Sequence, residues 1–419
     1  MASLPVSAIK SVGSTSNPWW RYLLFLYLLL LSTNLYYCWG AGGRNNLLIG
    51  AMFLVPLWLF LISIDIKIIL PVFGLPLYMS ITAACHWTTF NYSTLMFSWM
   101  FVLTFAFIIA CANKIHLRAN QFLLFLKFLV YSFAAVLLIQ HVSYFLGLPV
   151  FNRPEYYVSD YFCFNSLGTE PSYTARCIFV MIYCYFSLSK TKSLWEFFKK
   201  EKWLILSVLY ICFGSGSTTG LFLFLILILL NLSFANTIIV LLFLAIAISL
   251  SLHYEITAAL RVRNIIDSVL SPGSFVEEMQ EADFSGAQRF IPMVTAWENF
   301  DWSDIGNYLG HGNRYAAAFF SRYLPYSITE GDDPGGIMSS YWMDYGLISL
   351  ALLFGMAWTF CFSKNQRWKD LVVWLCIIVA SGINIQNTWV VMSFLALKKY
   401  VISQEPQPPD VRESVAIHE

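Results

Sequence analysis

The sequence predicts an all-α polytopic membrane protein with about twelve transmembrane helices. Hydrophobic residues make up 58% of the 419 residues and charged residues only 12%, whereas soluble domains carry roughly one quarter charged residues. Apolar runs of about 20 residues, the length that crosses a bilayer as a helix, recur along the chain. Because these runs lack the alternation of barrel strands, we expect helices, which satisfy every backbone polar group within lipid.

Twelve apolar segments are interpreted as spans, and two of them are short enough to change the count by one or two. They cover residues 19–39, 47–64, 68–87, 93–112, 121–145, 171–188, 203–217, 219–234, 237–254, 341–362, 370–383 and 387–399. No cleavable signal peptide is expected before the first of them.

The basic residues of the short loops predict the orientation. With a cytoplasmic N-terminus, alternation places every short basic loop inside: residues 113–118, 189–202 and 363–369, and the pair Lys398–Lys399. The predicted organisation is listed in chain order: a cytoplasmic tail (1–18), nine helices (19–254) with an outer loop at 146–170, a large outer loop (255–340), three helices (341–399) and a cytoplasmic tail (400–419). The functional surface is therefore expected on the outer side.

Lysine and arginine are distributed unequally between the two predicted sides. Every lysine falls on or near the cytoplasmic side, and the outer parts carry only arginines: Arg44, Arg153, Arg176, Arg261, Arg263, Arg289, Arg314 and Arg322. A guanidinium binds phosphate through two parallel hydrogen bonds, which the ammonium of lysine cannot do. The outer surface is thus expected to bind a phosphate or pyrophosphate, although single arginines could instead pair with nearby carboxylates.

The cysteines and the known short motifs indicate neither a metal nor a cofactor. Nine cysteines are scattered singly, mostly within spans, without metal or redox spacing. The chain has no phosphate-binding glycine loop, no dinucleotide fingerprint and no histidine pair at metal spacing. A nucleotide-driven pump is therefore not expected.

"GTEPSYTAR" (168–176) marks the end of the first outer loop and the start of a helix. Pro171 suits the first helical turn, and Glu170 complements the positive helix start. Arg176 lies about one and a half turns deeper, where a charge in an apolar helix is costly unless it faces a cavity or a partner. Glu170 and Arg176 are candidate site residues, and a local pair between them is the alternative.

"FGSGSTTGL" (213–221) joins two short apolar runs. Its small residues predict a break in the helix. Free amides at the second helix start could bind an anion. Close helix packing by small residues explains the same pattern.

The large outer loop begins with a segment that reads as an extension of the preceding span (253–270) and carries Arg261 and Arg263. Two positions apart on a helix, these arginines point to different faces, so at most one addresses a given ligand atom. Ser285 and Gln288 then resemble a capping box. This box would start a helix with Arg289 near its positive end, and Pro292 would either kink that helix or make it restart.

The second half of the loop collects side chains that could act on a sugar or a phosphate. "LGHGNR" presents His311 and Arg314 on a glycine turn, and "TEGDDPGG" carries Asp332 and Asp333. Aromatic rings that could pack on sugars, or form an interfacial belt, are Trp297, Trp302, Tyr308, Tyr315, Tyr323 and Tyr326.

The chain resembles the Wzy-type O-antigen and capsular polysaccharide polymerases, and more broadly the related O-antigen ligases. The local matches are "EPSYTA" (170–175), "SGSTTGL" (215–221), Arg289, Trp297, "LGHG" (309–312) and "YWMDYGLISLALLF" (341–354), and their order along the chain is the stronger sign. Thr218 stands where many relatives carry arginine. "GGIMSSYW" lacks the histidine of the ligases, which weakens a ligase assignment and a histidine-based mechanism.

The resemblance implies a GT-C-like glycosyltransferase of the bacterial inner membrane whose large loop of amphipathic helices faces the periplasm. Such a polymerase transfers glycan from undecaprenyl pyrophosphate to a lipid-linked repeat unit of lipopolysaccharide or capsule, without a cofactor or nucleic acid. The resemblance also implies a chain-length regulator protein as a partner. Cations would stabilise the pyrophosphate leaving group, and the candidates to bind it are Arg289, Arg176, Arg261, Arg263 and Arg314, beside Trp297. The candidate bases are Glu170, His311, Asp332 and Asp333. A ligase and a flippase or other transporter remain alternatives.

Overall fold

The computed structural model describes residues 18–35, 45–62, 66–87, 92–152, 164–189, 191, 193–232, 284–312, 314–324, 336–337, 341–379 and 381–404. Within these residues the secondary structure is helical and contains no strand. The predicted all-α class is therefore confirmed for the described chain.

The helices are numbered here in chain order. They are α1 (Trp19–Ser32), α2 (Asn46–Phe53), α3 (Val55–Ile62), α4 (Ile66–Cys85), α5 (Tyr92–Ile115), α6 (Ala119–Phe145), α7 (Pro171–Leu188), α8 (Leu194–Lys200), α9 (Lys202–Gly214), α10 (Thr218–Asn231), α11 (Phe284–Glu298), α12 (Gly306–Leu309), α13 (Tyr315–Tyr323), α14 (Trp342–Phe360), α15 (Arg367–Ile378) and α16 (Gln386–Gln404), with a 3-10 turn at Lys364–Gln366.

Eleven of the twelve predicted spans contain a described helix, and the span at 237–254 lies outside the described residues. Among the described helices, three are long and apolar enough to cross a membrane: α5, α6 and α14. Five shorter apolar helices accompany them. These helices support a membrane protein, and the number of spans stays a prediction.

α7 is the most buried helix of the bundle, because almost every one of its side chains is covered. It packs against α6, α10 and α16. Glu170 stands immediately before the helix and Pro171 occupies its first position, which confirms the predicted helix start. A helix covered on all sides belongs to the interior of a bundle.

The predicted break in "FGSGSTTGL" is present. α9 ends at Gly214, Gly216 adopts a left-handed φ of 70°, and α10 starts at Thr218. A Cβ at Gly220 would lie 3.3 Å from the Cβ of Ala175 in α7. This close approach favours the packing explanation for the small residues.

At one end of the bundle, buried amides join the loops. Asn152 donates to the backbone oxygens of Asn34 (3.0 Å) and Ser166 (2.7 Å), and Asn165 donates to those of Asn152 (2.8 Å) and Gly168 (2.6 Å). Backbone carbonyls in these loops have no partner within a helix, and the side-chain amides supply the hydrogen bonds that the buried carbonyls need. These bonds join loops that the predicted topology, in which successive spans cross the membrane in opposite directions, places together on the outer side.

The opposite end carries ion pairs and lysine contacts. Lys127 of α6 lies 2.7 Å from the carboxylate of Glu201, and Lys369 of α15 donates to Asn231 at 3.0 Å. The predicted topology places the helix ends that carry these residues together on the cytoplasmic side. Which end faces the cytoplasm stays a prediction.

Candidate functional site

The loop after α12 is held by glycines in left-handed conformations. Gly310 has a φ of 93° and Gly312 a φ of 94°, a region that L side chains rarely adopt. A Cβ at Gly310 would lie 2.6 Å from the backbone oxygen of Asp344, and a Cβ at Gly312 would lie 2.6 Å from the Cβ of His86. Only glycine therefore fits the path of the "LGHG" turn.

α14 is broken where this turn contacts it. Gly346 has φ 78° and ψ 164°, outside the helical region, and a Cβ there would lie 2.5 Å from the nitrogen of Gly310. The nitrogen of His311 donates to the oxygen of Met343 at 3.2 Å, and that of Gly312 donates to the oxygen of Asp344 at 3.0 Å. The turn is thus hydrogen bonded to the first residues of α14.

The buried carboxylate of Asp344 holds the start of α13. It accepts hydrogen bonds from the backbone nitrogens of Arg314 (3.3 Å) and Ala316 (3.0 Å). A carboxylate at a helix start satisfies free N–H groups and complements the helix dipole. Asp344 therefore positions the residues that follow His311.

The imidazole of His311 has three close neighbours. Its Nε2 lies 3.0 Å from Oδ1 of Asn307 and 3.4 Å from Oδ2 of Asp304, and its ring stacks on Tyr315 with centroids 3.8 Å apart. The amide nitrogen of Asn307 donates to the oxygen of Asp301 at 2.8 Å, so its Oδ1 faces His311. Nε2 is then assigned as the donor, and Nδ1 carries the lone pair.

Burial lowers the pKa of His311 below its ordinary value. The negative charge of Asp304 raises that pKa and the nearby His86 lowers it, and the net direction is downward. The imidazole is therefore mainly neutral at neutral pH. Its Nδ1 makes no hydrogen bond within the described residues and lies beside Gly306, where a Cβ would come within 2.5 Å of it.

An aromatic cluster lies in the segment that leads to His311. Trp297 stacks on Trp342 and on Phe300, with centroids 5.2 Å and 5.7 Å apart, and Phe300 contacts the ring of Trp302 at 4.6 Å. The hydroxyl of Tyr308 donates to the oxygen of Trp302 at 3.2 Å. Trp302 (72%) and Trp297 (39%) are the exposed rings of this cluster, and exposed aromatic faces are a surface on which a sugar could pack.

Two predicted site residues lie at the start of α7. Glu170 is half-buried and accepts a hydrogen bond from the hydroxyl of Ser172. Arg176 is buried, and its Nη1 donates to Oγ of Ser381 at 3.3 Å. The oxygen of Ser381 accepts from the nitrogen of Ile337 at 2.9 Å, which connects Arg176 to the segment before α14.

The predicted capping box at the start of α11 is wrong, because Ser285 lies inside the helix, whose described residues begin at Phe284. The helix continues through Pro292 instead of restarting there. Arg289 occupies the sixth position of Phe284–Glu298, and its side chain lies outside the described part. The argument that it occupies a helix start is therefore weakened.

The remaining predicted residues divide into two groups. Arg314 is exposed and immediately precedes α13, with a left-handed φ of 75°. Together with His311 and Trp297 it surrounds the start of α14. Four predicted residues lie outside the described residues: Arg261, Arg263, Asp332 and Asp333.

Sequence reasoning missed Asp304, Asn307 and Asp344. The spacing of four between Asn307 and His311 could have indicated a contact on one helical face. The acid of "YWMDYG" at the start of a span was a second signal, because a carboxylate there must find partners. Neither signal reveals that Asp344 caps a different helix.

A buried ion pair was also missed. Lys398, interpreted as an orienting cytoplasmic charge, contacts Asp370, and both side chains are 0% exposed. Asp370 also accepts from the hydroxyl of Tyr183 at 2.5 Å and from the nitrogen of Ser363 at 2.8 Å. Together with Tyr183, this pair joins α7, α15 and α16.

The seven cysteines that the structure describes are free thiols. In the same part of the chain, no three acidic, histidine or cysteine side chains are grouped as metal ligands would be. Comparisons with protein-family models, curated proteins and solved structures found no match.

Proposed function

We propose that this chain is a polysaccharide polymerase that elongates a lipid-linked glycan at the outer face of the bacterial inner membrane. The observation that carries the proposal is the oriented, neutral imidazole of His311, which lies beside Asp304 and stacks on Tyr315. The order of the local matches along the chain supports the same assignment. The proposal includes about twelve spans, a GT-C-like fold and a periplasmic loop.

In the proposed reaction, a sugar hydroxyl of the incoming repeat attacks the anomeric carbon of the growing glycan. The new glycosidic bond forms while the bond between the anomeric carbon and undecaprenyl pyrophosphate breaks. The electron pair of the broken bond leaves with the pyrophosphate. His311 Nδ1 accepts the hydroxyl proton, and Asp304 stabilises the imidazolium that results. General base catalysis of this kind contributes roughly 10²–10⁴-fold to a rate.

Arginines are proposed to neutralise the pyrophosphate. Arg289 binds it, and one further guanidinium, from Arg176, Arg261 or Arg263, completes the contact. Hydrogen bonds to charged groups contribute on the order of 1.5–3 kcal/mol each. The burial of Arg176 near Ser381 supports its inclusion, because a buried cation in a helix bundle commonly faces a functional cavity.

A deletion strain tests the class of the protein. Loss of a polymerase should leave surface glycans with a single repeat unit. A strain without surface glycan would indicate a ligase or a transporter and would overturn the proposal. Complementation with His311→Ala should give single repeats at normal protein abundance, whereas complementation with the exposed-residue control Arg322→Ala should restore long chains.

A transporter is the second candidate, because Arg176, Asp370 and Lys398 are charged side chains buried in the bundle. Such groups mark ion and substrate pathways in membrane proteins. Detergent abolishes the two compartments that transport needs. Polymer formation by the detergent-solubilised protein would therefore exclude a purely transporting role.

A further inference from the structure

The depth of the "LGHG" turn relative to the helix ends is set by three contacts. The nitrogen of His311 bonds Met343, in the first turn of α14, and Gly346, one turn further in, approaches the nitrogen of Gly310. The hydroxyl of Tyr78 donates to the oxygen of Leu309 at 2.9 Å. Because α14 is one of the helices suited to cross the membrane, the turn lies level with the end of a span.

Tyr78 places the first residue of the turn, Leu309, deeper than Gly312, which lies against His86 beyond the end of α4. Tyr78 precedes Cys85, the last residue of α4, by seven positions, which corresponds to about 10 Å along a helix. Helical side chains also point towards the N-terminus of their helix. In α4 this direction leads away from the C-terminal end, where the "LGHG" turn lies. Leu309 is thus held about two turns inside the end of α4.

The same segment exposes a row of large apolar side chains. Trp302 is 72% exposed, Ile305 70% and Leu309 47%. Ile305 and Leu309, four positions apart, lie on one face of a helical turn, because the nitrogens of Tyr308 and Leu309 donate to the oxygen of Ile305 (3.1 Å and 3.0 Å). Trp302 lies in the turn that precedes this segment. Asn307 and His311 lie on the inner side of this segment, against each other.

We infer that Trp302, Ile305 and Leu309 insert into the outer leaflet at the boundary between headgroups and acyl chains. Apolar residues at this depth gain free energy in lipid, and Trp favours this boundary. His311 is consequently held at the level of the headgroups, on the protein side of the same turn. The inference rests on the membrane nature of the chain and is independent of the polymerase proposal. If that proposal is also correct, a lipid-linked glycan reaches His311 along the plane of the bilayer.

Photocrosslinking tests this inference. The full chain with p-benzoylphenylalanine at Ile305 is reconstituted into vesicles of phosphatidylethanolamine and phosphatidylglycerol, irradiated, and analysed by mass spectrometry. The positive control carries the label at Phe60 of α3, which is 82% exposed on an apolar helix. The matched control carries it at Ser303, whose hydroxyl donates to Asp301 on the same turn.

The expected result is a phospholipid adduct at position 305 in a yield comparable to that at position 60 and several-fold above that at position 303. A crosslink from position 305 to a second copy of the chain would identify a protein interface and overturn the inference. Equal lipid yields at positions 303 and 305, or none at 305 with adducts at 60, would overturn it as well.

Discussion

Asn307 decides which nitrogen of His311 carries the proton. Its amide nitrogen is occupied by the oxygen of Asp301, so its own oxygen is left to accept from Nε2. The lone pair therefore lies on Nδ1, and Asp304 is close enough to stabilise the protonated ring. A neutral imidazole with a defined tautomer can serve as a base near neutral pH.

The rate of polymer formation should fall as the pH drops through the pKa of His311. Burial lowers this pKa below its ordinary value, so the decline should occur at a lower pH than for an unperturbed imidazole. Asp304→Asn removes the charge that raises this pKa, and the acid limb should then move to lower pH. The measurement is the initial rate against pH.

The control for Asp304→Asn is Asp301→Asn, which changes an exposed carboxylate on the same turn. Its acid limb should stay in place. A limb that moves to higher pH in Asp304→Asn would contradict the proposed coupling between Asp304 and His311.

Arg289 should require its guanidinium. Arg289→Ala and Arg289→Lys should both abolish long-chain glycan at normal protein abundance, because an ammonium cannot form two parallel hydrogen bonds to a phosphate. The measurement is the glycan ladder of complemented strains, and the exposed Arg322→Lys is the control. Near-normal ladders from Arg289→Ala would make Arg289 a surface residue whose ion pairs contribute at most about 1 kcal/mol.

At the scale of the elements, the break in α14 sets the geometry of the site. The first residues of the helix present carbonyls to the "LGHG" turn, and the non-helical conformation of Gly346 kinks the helix at this point. The backbone oxygen of Gly346 is bonded by the hydroxyl of Ser349 at 2.6 Å. An unbroken helix would satisfy these carbonyls internally and release the turn.

Gly346→Ala should lower the melting temperature of the purified protein and abolish polymer formation. The new Cβ would meet the backbone of Tyr308 and Gly310, and its φ of 78° is strained for alanine. Gly355→Ala in the same helix meets open space, so its melting temperature should be unchanged or higher. Equal melting temperatures for the two variants would contradict the described break.

Lys398→Met should destabilise the bundle because it leaves the carboxylate of Asp370 buried without its cation. Breaking a buried ion pair costs about 3–5 kcal/mol, whereas replacing both partners with apolar residues is often neutral. The double variant Lys398→Met/Asp370→Leu should therefore recover much of the free energy of unfolding. Denaturant unfolding in detergent measures both.

Lys399→Met is the matched control. The neighbouring Lys399 donates to the oxygens of Trp358 and Thr359 at the end of α14 (3.3 Å and 2.6 Å). Its replacement removes these bonds but leaves no buried carboxylate without its cation, so it should destabilise the protein less than Lys398→Met does. A double variant less stable than Lys398→Met alone would contradict the account of the pair.

For the whole molecule, the apolar runs were sufficient to predict eleven described helical segments, because a helix in lipid needs only length and hydrophobicity. Helix ends were less predictable: α16 continues to Gln404, beyond the predicted end at residue 399. The contact of Lys398 with Asp370 could not be predicted, since it depends on how α15 and α16 pack. The local sequence alone does not show whether a lysine near the end of a span faces the cytoplasm or is buried in an ion pair.

In the candidate site, too, some features could be predicted from the sequence and others could not. The "LGHG" turn and its histidine were visible as a pattern, because glycine at positive φ has few alternatives. The environment of His311 was not visible, since Asp344 and His86 reach the turn from α14 and from the end of α4. Burial and the approach of His86, which lower the pKa of His311, depend on the packing of distant elements, whereas its two polar partners, Asn307 and Asp304, are local in the sequence.

Polymerisation by the purified protein tests the central claim most directly. The detergent-solubilised chain is incubated with undecaprenyl-pyrophosphate-linked repeat units and excess chelator, and products are separated by length. We predict a ladder of polymers from the unchanged chain, since arginines and not a divalent metal are proposed to stabilise the leaving group, and no ladder from His311→Ala. Failure of the unchanged chain to form polymer, or an undiminished ladder from His311→Ala, would contradict the account.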